Sequence, residues 1–94
     1  LEALFHTLTQ DKNVNVRLSA IETMLHFTDN PRVRESLIRA IPFQQAPLVQ
    51  LTLAEVMTAL QDKRAIEEIQ RLLREEQVEV EVKMKLEDTI ETLL

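Results

Sequence analysis

The sequence contains no glycine, and its only three prolines are Pro31, Pro42 and Pro47. Tight β-hairpins use glycine where the backbone needs a positive φ angle. The absence of glycine therefore argues against a fold of strands and tight turns. It favours an all-helical chain with short connections.

Cysteine is absent as well, so the chain can form no disulfide and offers no thiolate to zinc. No apolar run approaches the roughly 18 residues that a membrane-spanning helix requires, and no secretory signal peptide is recognisable. The sequence begins at Leu1, inside a predicted helix and without an initiator methionine. We therefore expect it to be a segment cut from a longer protein, and the missing signals assign no compartment.

Aromatic residues are limited to three phenylalanines, so the chain lacks the aromatic platforms on which single-stranded nucleic acids stack. Sixteen acidic and eleven basic residues give a net charge of −5. Residues 1–47 hold five of each sign, whereas residues 48–94 hold eleven acids and six bases and so carry the whole excess. A negative surface repels phosphate backbones, so the charge argues against a nucleic-acid partner.

A stretch of sequence recurs twice, each time 33 residues further on, with copies that begin at Val16, Val49 and Val82. Three further sets of equivalent positions are Leu18, Leu51 and Met84; Ala20, Leu53 and Leu86; and Glu22, Glu55 and Asp88. A fixed period of this length without gaps is the signature of a repeat array. We divide the chain into units of about 1–30, 31–63 and 64–94.

Apolar spacing and capping signals predict six helices in three antiparallel pairs. The first five cover about 1–10, 14–28, 31–41, 47–61 and 63–75. Asp62 is expected to cap the fifth helix, and Pro42 to end the third. The second helix is expected to be buried on two sides through two apolar stripes, which are Val14, Leu18, Ile21 and Leu25, and Ala20, Met24 and Phe27.

The last segment is ambiguous, because apolar residues from Val78 to Leu86 alternate with charged ones. Taken alone, that alternation is typical of a half-buried strand. Three observations favour a helix: the 33-residue register, the good helix formers among these residues, and the lack of any partner for a lone strand. A helical stripe also fits, formed by Val78, Val82, Leu86, Ile90 and Leu93.

The turn before the second helix, Asp11-Lys12-Asn13-Val14-Asn15-Val16-Arg17, resembles the D-x-N-x-x-V-R pattern of a HEAT repeat. The resemblance covers the chain as three units, and it implies an α-α superhelix, or solenoid, of three HEAT-like hairpins. It also implies a structural ladder of hydrogen bonds between units through Asp11, Asn13 and Arg17. The second unit has Gln44 and Gln50 where the first has Asp11 and Arg17, and the third has Gln77 and Lys83.

Short bacterial HEAT-like repeats, including the bilin-lyase type, share this appearance. More narrowly, the chain resembles HEAT segments that follow a membrane helix and an anti-sigma-type zinc finger in some bacterial proteins. That resemblance implies the sensor or regulatory arm of a membrane-anchored regulator, outside the cytoplasm. The alternatives are an accessory factor for cofactor attachment or enzyme activity and, because HEAT-like folds include DNA-repair glycosylases, a nucleic-acid binder.

Stacked units would align Glu22, Glu55 and Asp88 along one face, and such a face is commonly the binding surface of a solenoid. The neighbouring positions on this face are Ser19, Thr52, Lys85 and His26. We interpret the face as a surface for a basic segment of a partner protein. The alternative is a solvated helix face that keeps the array soluble.

The residues offer little for chemistry, so we expect a non-enzymatic protein without cofactor or metal. Carboxylates on an open face lack the pocket that raises a pKa for acid–base catalysis. His26 and Glu22 have i, i+4 spacing, but a tight metal site needs a third ligand. No Ser-His-Asp arrangement is indicated, and a phosphate loop needs glycine.

Three smaller features complete the sequence. Arg32, Arg34 and Arg39 give the third helix a basic patch, which could touch phosphate or an acidic partner or could simply be solvated. Residues 78–94 are amphipathic with an acidic polar side, which argues against binding to an anionic membrane. The uncapped start at Leu1 predicts either preceding residues in the parent protein or a dimer through this end.

Overall fold

Six α-helices and one short 3₁₀ helix make up the regular structure of the computed structural model, which describes all 94 residues. They are α1 (Glu2–Gln10), α2 (Val14–Leu25), α3 (Pro31–Arg39), η1 (Ile41–Phe43), α4 (Pro47–Leu60), α5 (Ala65–Leu73) and α6 (Val80–Leu93). There is no strand, so the prediction of an all-helical chain with six helices is confirmed. None of the helices combines the length and the apolar character that crossing a membrane would take.

Asparagine side chains start two of the helices. Asn13 Oδ1 accepts hydrogen bonds from the backbone amides of Asn15 at 2.8 Å and Val16 at 3.2 Å. Asn30 Oδ1 accepts from the amide of Arg32 at 2.9 Å, and Pro31 follows it at the first helical position. Both side chains satisfy amides that the first helical turn leaves without partners.

Two helices end earlier than the sequence predicts. Helix α2 stops at Leu25 rather than near residue 28, and residues 26–29 form turns that lead to Asn30, the residue that caps α3. Helix α3 stops at Arg39 rather than Ile41. The Pro42 ring clashes with the carbonyl four residues back, and the chain tightens into η1 instead.

The boundary between α4 and α5 also differs from the prediction. Helix α5 begins at Ala65, and residues 62–64 form a turn in which Asp62 Oδ1 accepts from the amide of Arg64 at 3.1 Å. Gln61, just before this turn, has a φ of 55° and is the only residue with a positive φ. Its amide donates to the Met57 carbonyl at 3.0 Å and closes α4. A left-handed residue commonly ends a helix in this way, and glycine usually fills the position.

Burial along α6 identifies which of its two patterns the fold uses. Val82, Leu86 and Leu93 are buried, as the helical stripe predicts. Val80 and Met84 are 72% and 61% exposed, although a strand would bury them on the same face as Val82. The alternation of apolar and charged residues is therefore compatible with a helix that buries every fourth residue.

Helix α4 lies at the centre of the packing. It contacts α2 on one side and α6 on the other, so the three even-numbered helices form a row. The odd-numbered helices lie beside this row: α1 packs on α2, α3 and η1 pack on α5, and α5 packs on α6. The molecule measures 30 × 28 × 16 Å, and its shortest direction has room for two layers of helices whose axes lie about 8–10 Å apart.

The core is one continuous cluster of 21 buried hydrophobic residues. On α2 it takes Ala20, Ile21 and Met24, as predicted. Two predicted members are wrong: Leu25 is 41% exposed and Phe27 is 58% exposed. Phe27 lies beyond the end of α2, where helical spacing no longer determines its direction, and Leu25 is the last residue of that helix.

Truncating a buried leucine of α4 tests whether the row of even-numbered helices holds the fold together. Leu53→Ala should lower the free energy of unfolding by about 2–5 kcal/mol, because it leaves a cavity in a close-packed core. Leu48→Ala on the same helix is the control and should change it by less than about 0.5–1 kcal/mol, since Leu48 is exposed. Urea denaturation of both variants measures the difference, and equal losses would contradict the packing described.

Glycine should stabilise the protein at the one position where the backbone is left-handed. Gln61→Gly should raise the free energy of unfolding by about 0.5–1 kcal/mol, because a side chain at positive φ is strained. Gln70→Gly, at an exposed position inside α5, should lower it by about 1 kcal/mol. Thermal denaturation of the two variants should thus give shifts of opposite sign, and a shared sign would exclude strain at Gln61.

Candidate interaction surface

The predicted acidic face lies on the row of even-numbered helices. Glu22 lies on α2, Glu55 on α4 and Asp88 on α6, at equivalent positions of the 33-residue register. All three are exposed, and α4 contacts both of the other helices. We call Glu22, Glu55 and Asp88 the acidic row.

No ion pair neutralises the acidic row. The four ion pairs of the protein join Arg34 and Arg64 to Asp62, and Arg71 to Glu67 and Glu68. All of them lie outside the row. The three carboxylates therefore keep their hydrogen-bonding capacity free for water or for a bound cation.

The other residues predicted for this face differ in their availability. Ser19 is exposed and Lys85 is half-buried. The Thr52 hydroxyl donates to the Leu48 carbonyl at 2.7 Å, within its own helix. His26 follows the end of α2 and lines a different cleft from Thr52, one that includes Leu1 and Phe27. Thr52 and Glu55 therefore line one cleft together, while His26 lines another.

An apolar cleft of about 300 Å³ adjoins the middle of the acidic row. Thr52 and Glu55 on α4 line one side of it, and Leu25 and Thr28 line the other. The sequence analysis missed this cleft, because it assigned Leu25 to the buried core. The only sequence signal for the cleft was the Asn30-Pro31 pair, which starts α3 and so limits how far α2 can extend. The surface thus combines exposed carboxylates with an apolar recess.

No group of three or more histidine, aspartate or glutamate side chains converges in a way that could hold a metal ion. His26 and Glu22, the pair with i, i+4 spacing, have no third residue beside them. The features that this face offers to a partner are the charges of the acidic row and the apolar cleft beside Glu55.

The predicted ladder residues meet at the turn between α1 and α2. Asp11 Oδ1 accepts from the amide of Asn13 at 2.8 Å. Arg17 Nε donates to the Asp11 carbonyl at 2.5 Å, and its Nη2 donates to the Thr9 carbonyl at 3.1 Å. Arg17 thus binds the backbone of the preceding turn, while the Asp11 carboxylate shapes that turn.

Gln44 connects the first unit to the second. Arg17 Nη1 donates to Gln44 Oε1 at 2.8 Å. Gln44 Nε2 donates to the carbonyls of Leu8 and Ala40, both at 3.0 Å. Gln50 Nε2 in turn donates to the Gln44 carbonyl at 2.9 Å. From the sequence, Gln44 and Gln50 were identified only as replacements of Asp11 and Arg17. Their register places Gln44 in the turn before α4 and Gln50 in the first turn of that helix, which was the available signal that they contact each other.

The basic patch predicted on the third helix is partly used within the fold. Arg39 places its guanidinium carbon 5.2 Å from the centre of the Phe5 ring, a cation–π geometry. Arg34 Nη1 donates to the Thr28 carbonyl, and its Nε lies 4.0 Å from Asp62 Oδ2. Arg32 remains exposed. Only one of the three arginines is therefore free of an internal contact.

Comparisons with protein-family models, with curated proteins and with solved structures found no match to this chain.

The Asp62 cluster should make stability depend on acid pH. The Arg64 side chain, which donates to both Asp62 oxygens at 3.0 and 2.7 Å, lowers the pKa of Asp62 from its ordinary value of 3.8, and Arg34 adds to this effect. A carboxyl group with a depressed pKa stabilises the fold above its ordinary pKa, and the contribution is lost as the pH falls through the folded value. Asp62→Asn should therefore be less stable than the original protein at pH 7.

The same two proteins should become equally stable in acid. The difference should start to close as the pH falls to 3.8 and should vanish once Asp62 is protonated in the folded state. Glu67→Gln is the control, because its ion pair with Arg71 is exposed and should contribute little at any pH. Urea denaturation at several pH values between about 2 and 7, the range that spans the titration of carboxyl groups, measures the free energy of unfolding of both variants and of the original protein. A pH-independent loss for Asp62→Asn would exclude the charge effect.

Proposed function

We propose that the chain is a short HEAT-like solenoid of three helical hairpins. The 33-residue register and the contacts of α4 with both α2 and α6 support this architecture. The Arg17–Gln44 hydrogen bond supports it as well, because it joins the two positions at which a HEAT ladder would connect neighbouring units. Each hairpin then contributes its second helix to one continuous face.

On this architecture we propose a non-enzymatic protein-interaction module whose acidic row binds a basic segment of a partner protein. One observation carries the proposal: three exposed carboxylates without ion pairs lie at the same register on adjacent helices. Opposite charge on a partner would steer its approach and fix its position along the row. The apolar cleft beside Glu55 would then receive a small apolar side chain of the same segment.

The spacing of the helices sets the pattern of the partner. Packed helices lie about 8–10 Å apart, so neighbouring carboxylates of the row repeat at about that distance. An extended peptide advances about 3.3–3.6 Å per residue. Basic side chains at every third residue of an extended segment would therefore meet Glu22, Glu55 and Asp88 in turn, with an apolar residue between the first two.

The place of such a module in a longer protein follows only from the HEAT resemblance. We propose the sensor or regulatory arm of a bacterial membrane-anchored regulator, with an accessory factor for cofactor attachment as the alternative. No observation favours a nucleic-acid partner, because Arg34 and Arg39 make internal contacts and the aligned face is acidic.

Charge reversal tests the acidic row. The probe is a heptapeptide with lysine at its first, fourth and seventh positions, alanine elsewhere and a fluorescent label. Glu22→Lys combined with Glu55→Lys should weaken its binding at least tenfold, equivalent to about 1.4 kcal/mol. Fluorescence anisotropy at a fixed, low salt concentration measures the dissociation constants, because exposed charges are screened by salt.

Two controls separate a specific row from general attraction. Glu87→Lys combined with Glu91→Lys makes the same change in net charge at exposed positions of α6 outside the row, and it should weaken binding less than threefold. A heptapeptide with its three lysines adjacent should bind the original protein more weakly than the spaced one. Equal effects of the two double variants would mean that the row is only a solvated surface.

A further inference from the structure

The Arg17 guanidinium occupies a defined slot at the junction between the first two units. Its acceptors are the carbonyls of Thr9, Asp11 and Phe43 and the side-chain oxygen of Gln44, at 3.1, 2.5, 3.5 and 2.8 Å. Two of them belong to the first unit and two to the second. The slot therefore consists of acceptors from both sides of a unit boundary, with a planar donor between them.

The 33-residue register predicts a second slot at the next junction. Gln50 stands there in place of Arg17, and Pro42, Gln44 and Gln77 stand in place of Thr9, Asp11 and Gln44. Gln50 Nε2 donates to the Gln44 carbonyl at 2.9 Å, which reproduces the bond from Arg17 Nε to the Asp11 carbonyl. The glutamine side chain ends at that point, so nothing in the chain corresponds to the two outer nitrogens of the guanidinium.

A cleft of about 260 Å³ adjoins Gln50 at this junction. Pro42, Gln44 and Gln50 line it from the second unit, and Gln77 and Glu75 line it from the third. Its lining is mostly polar, and Glu75 is its only charged residue. The residues equivalent to Thr9, Asp11 and Gln44 of the first slot thus all line this cleft.

The Gln50 side chain supplies independent evidence of a missing partner. Gln50 is only 3% exposed, and its Oε1 atom is buried without any hydrogen bond. The amide cannot be turned over, because Oε1 would then face the Gln44 carbonyl and two acceptors would meet. Buried acceptors without partners are rare and unfavourable. Gln50 lines the cleft, so a donor that seats fully against this side chain would satisfy the buried acceptor.

We propose that this cleft binds a guanidinium group supplied by another molecule. A guanidinium has five N–H donors and no acceptor, which matches Gln50 Oε1, Gln77 and the Glu75 carboxylate. Its plane fits a slot that the chain already fills with Arg17 at the preceding junction. An ammonium lacks this planar arrangement of donors, and an anion would be repelled by Glu75. The site lies at the turns and excludes the acidic row, so it stands independently of the proposed function.

Titration with small guanidines and peptides tests the site and identifies the source of the group. The probes are agmatine, N-acetyl-arginine amide, N-acetyl-lysine amide and an alanine pentapeptide with a central arginine. NMR of the original protein should show saturable shifts of the Gln50 and Gln77 side-chain amides, with dissociation constants on the order of 1 mM for the small guanidines. The lysine compound should bind at least threefold more weakly.

The relative affinities of the probes separate the two sources. Tenfold tighter binding of the peptide than of agmatine would assign the slot to an arginine of a partner protein, and the reverse order would assign it to a free guanidino compound. Either order supports the site. The absence of saturable shifts with every guanidine, or shifts equal to those with lysine, would overturn it and leave a cleft that only water fills.

Filling the slot from within gives an independent test. Gln50→Arg should restore the Arg17 arrangement, raise the melting temperature by about 4 °C or more and abolish binding of the small guanidines. Gln70→Arg makes the same change at an exposed position of α5 and should alter neither property. Unchanged guanidine binding by a folded Gln50→Arg variant would contradict the proposal. If that variant does not fold, Glu75→Gln at an exposed position decides instead, with at least threefold weaker binding expected and unchanged affinity contradicting the site.

Discussion

The hydrogen bonds of Gln44 tie together the segments around α1, α2 and the end of α3. Hydrophobic burial has no direction, so the apolar core alone would tolerate small displacements between neighbouring helices. Gln44 is almost fully buried, and a buried amide is stable only where all its partners are in place. Its side chain reaches Leu8, Ala40 and Arg17 at once, and these belong to three different segments. The amide therefore fixes the register that places α4 against α2.

The apolar and polar repeats of the chain have different consequences. Buried positions such as Ala20, Leu53 and Leu86 are apolar in each copy of the 33-residue register, so α2, α4 and α6 each contribute a buried apolar side to the row of even-numbered helices. The equivalent position occupied by Arg17 changes to Gln50 and then to Lys83, so the polar groups at the start of these helices differ. The buried positions of the even-numbered helices are thus alike, whereas the polar positions at their turns differ. A binding site can arise at such a turn without a change in the core.

The sequence predicted the six helices well, because they follow from periodic patterns that each helix expresses locally. Helix ends were predicted less well, since they depend on turns: Pro42 shortened α3, and the approach to Pro31 shortened α2 and exposed Leu25. The cleft beside Glu55 was missed for that reason. Gln61 carries no sequence signal for a left-handed backbone, and the contact of Gln44 with Leu8 spans 36 residues, so neither could be read from a local pattern.

The shortest dimension of the molecule, 16 Å, leaves room for only two helices between its opposite surfaces. A partner bound to the outer face of the even-numbered helices would leave the odd-numbered helices and the turns exposed, because those lie on the other side of the domain or at its edge. A single layer of core side chains therefore separates the even-numbered helices from the odd-numbered ones. A displacement imposed on one side would reach the other through that layer or through the hydrogen bonds that link Arg17, Gln44 and Gln50.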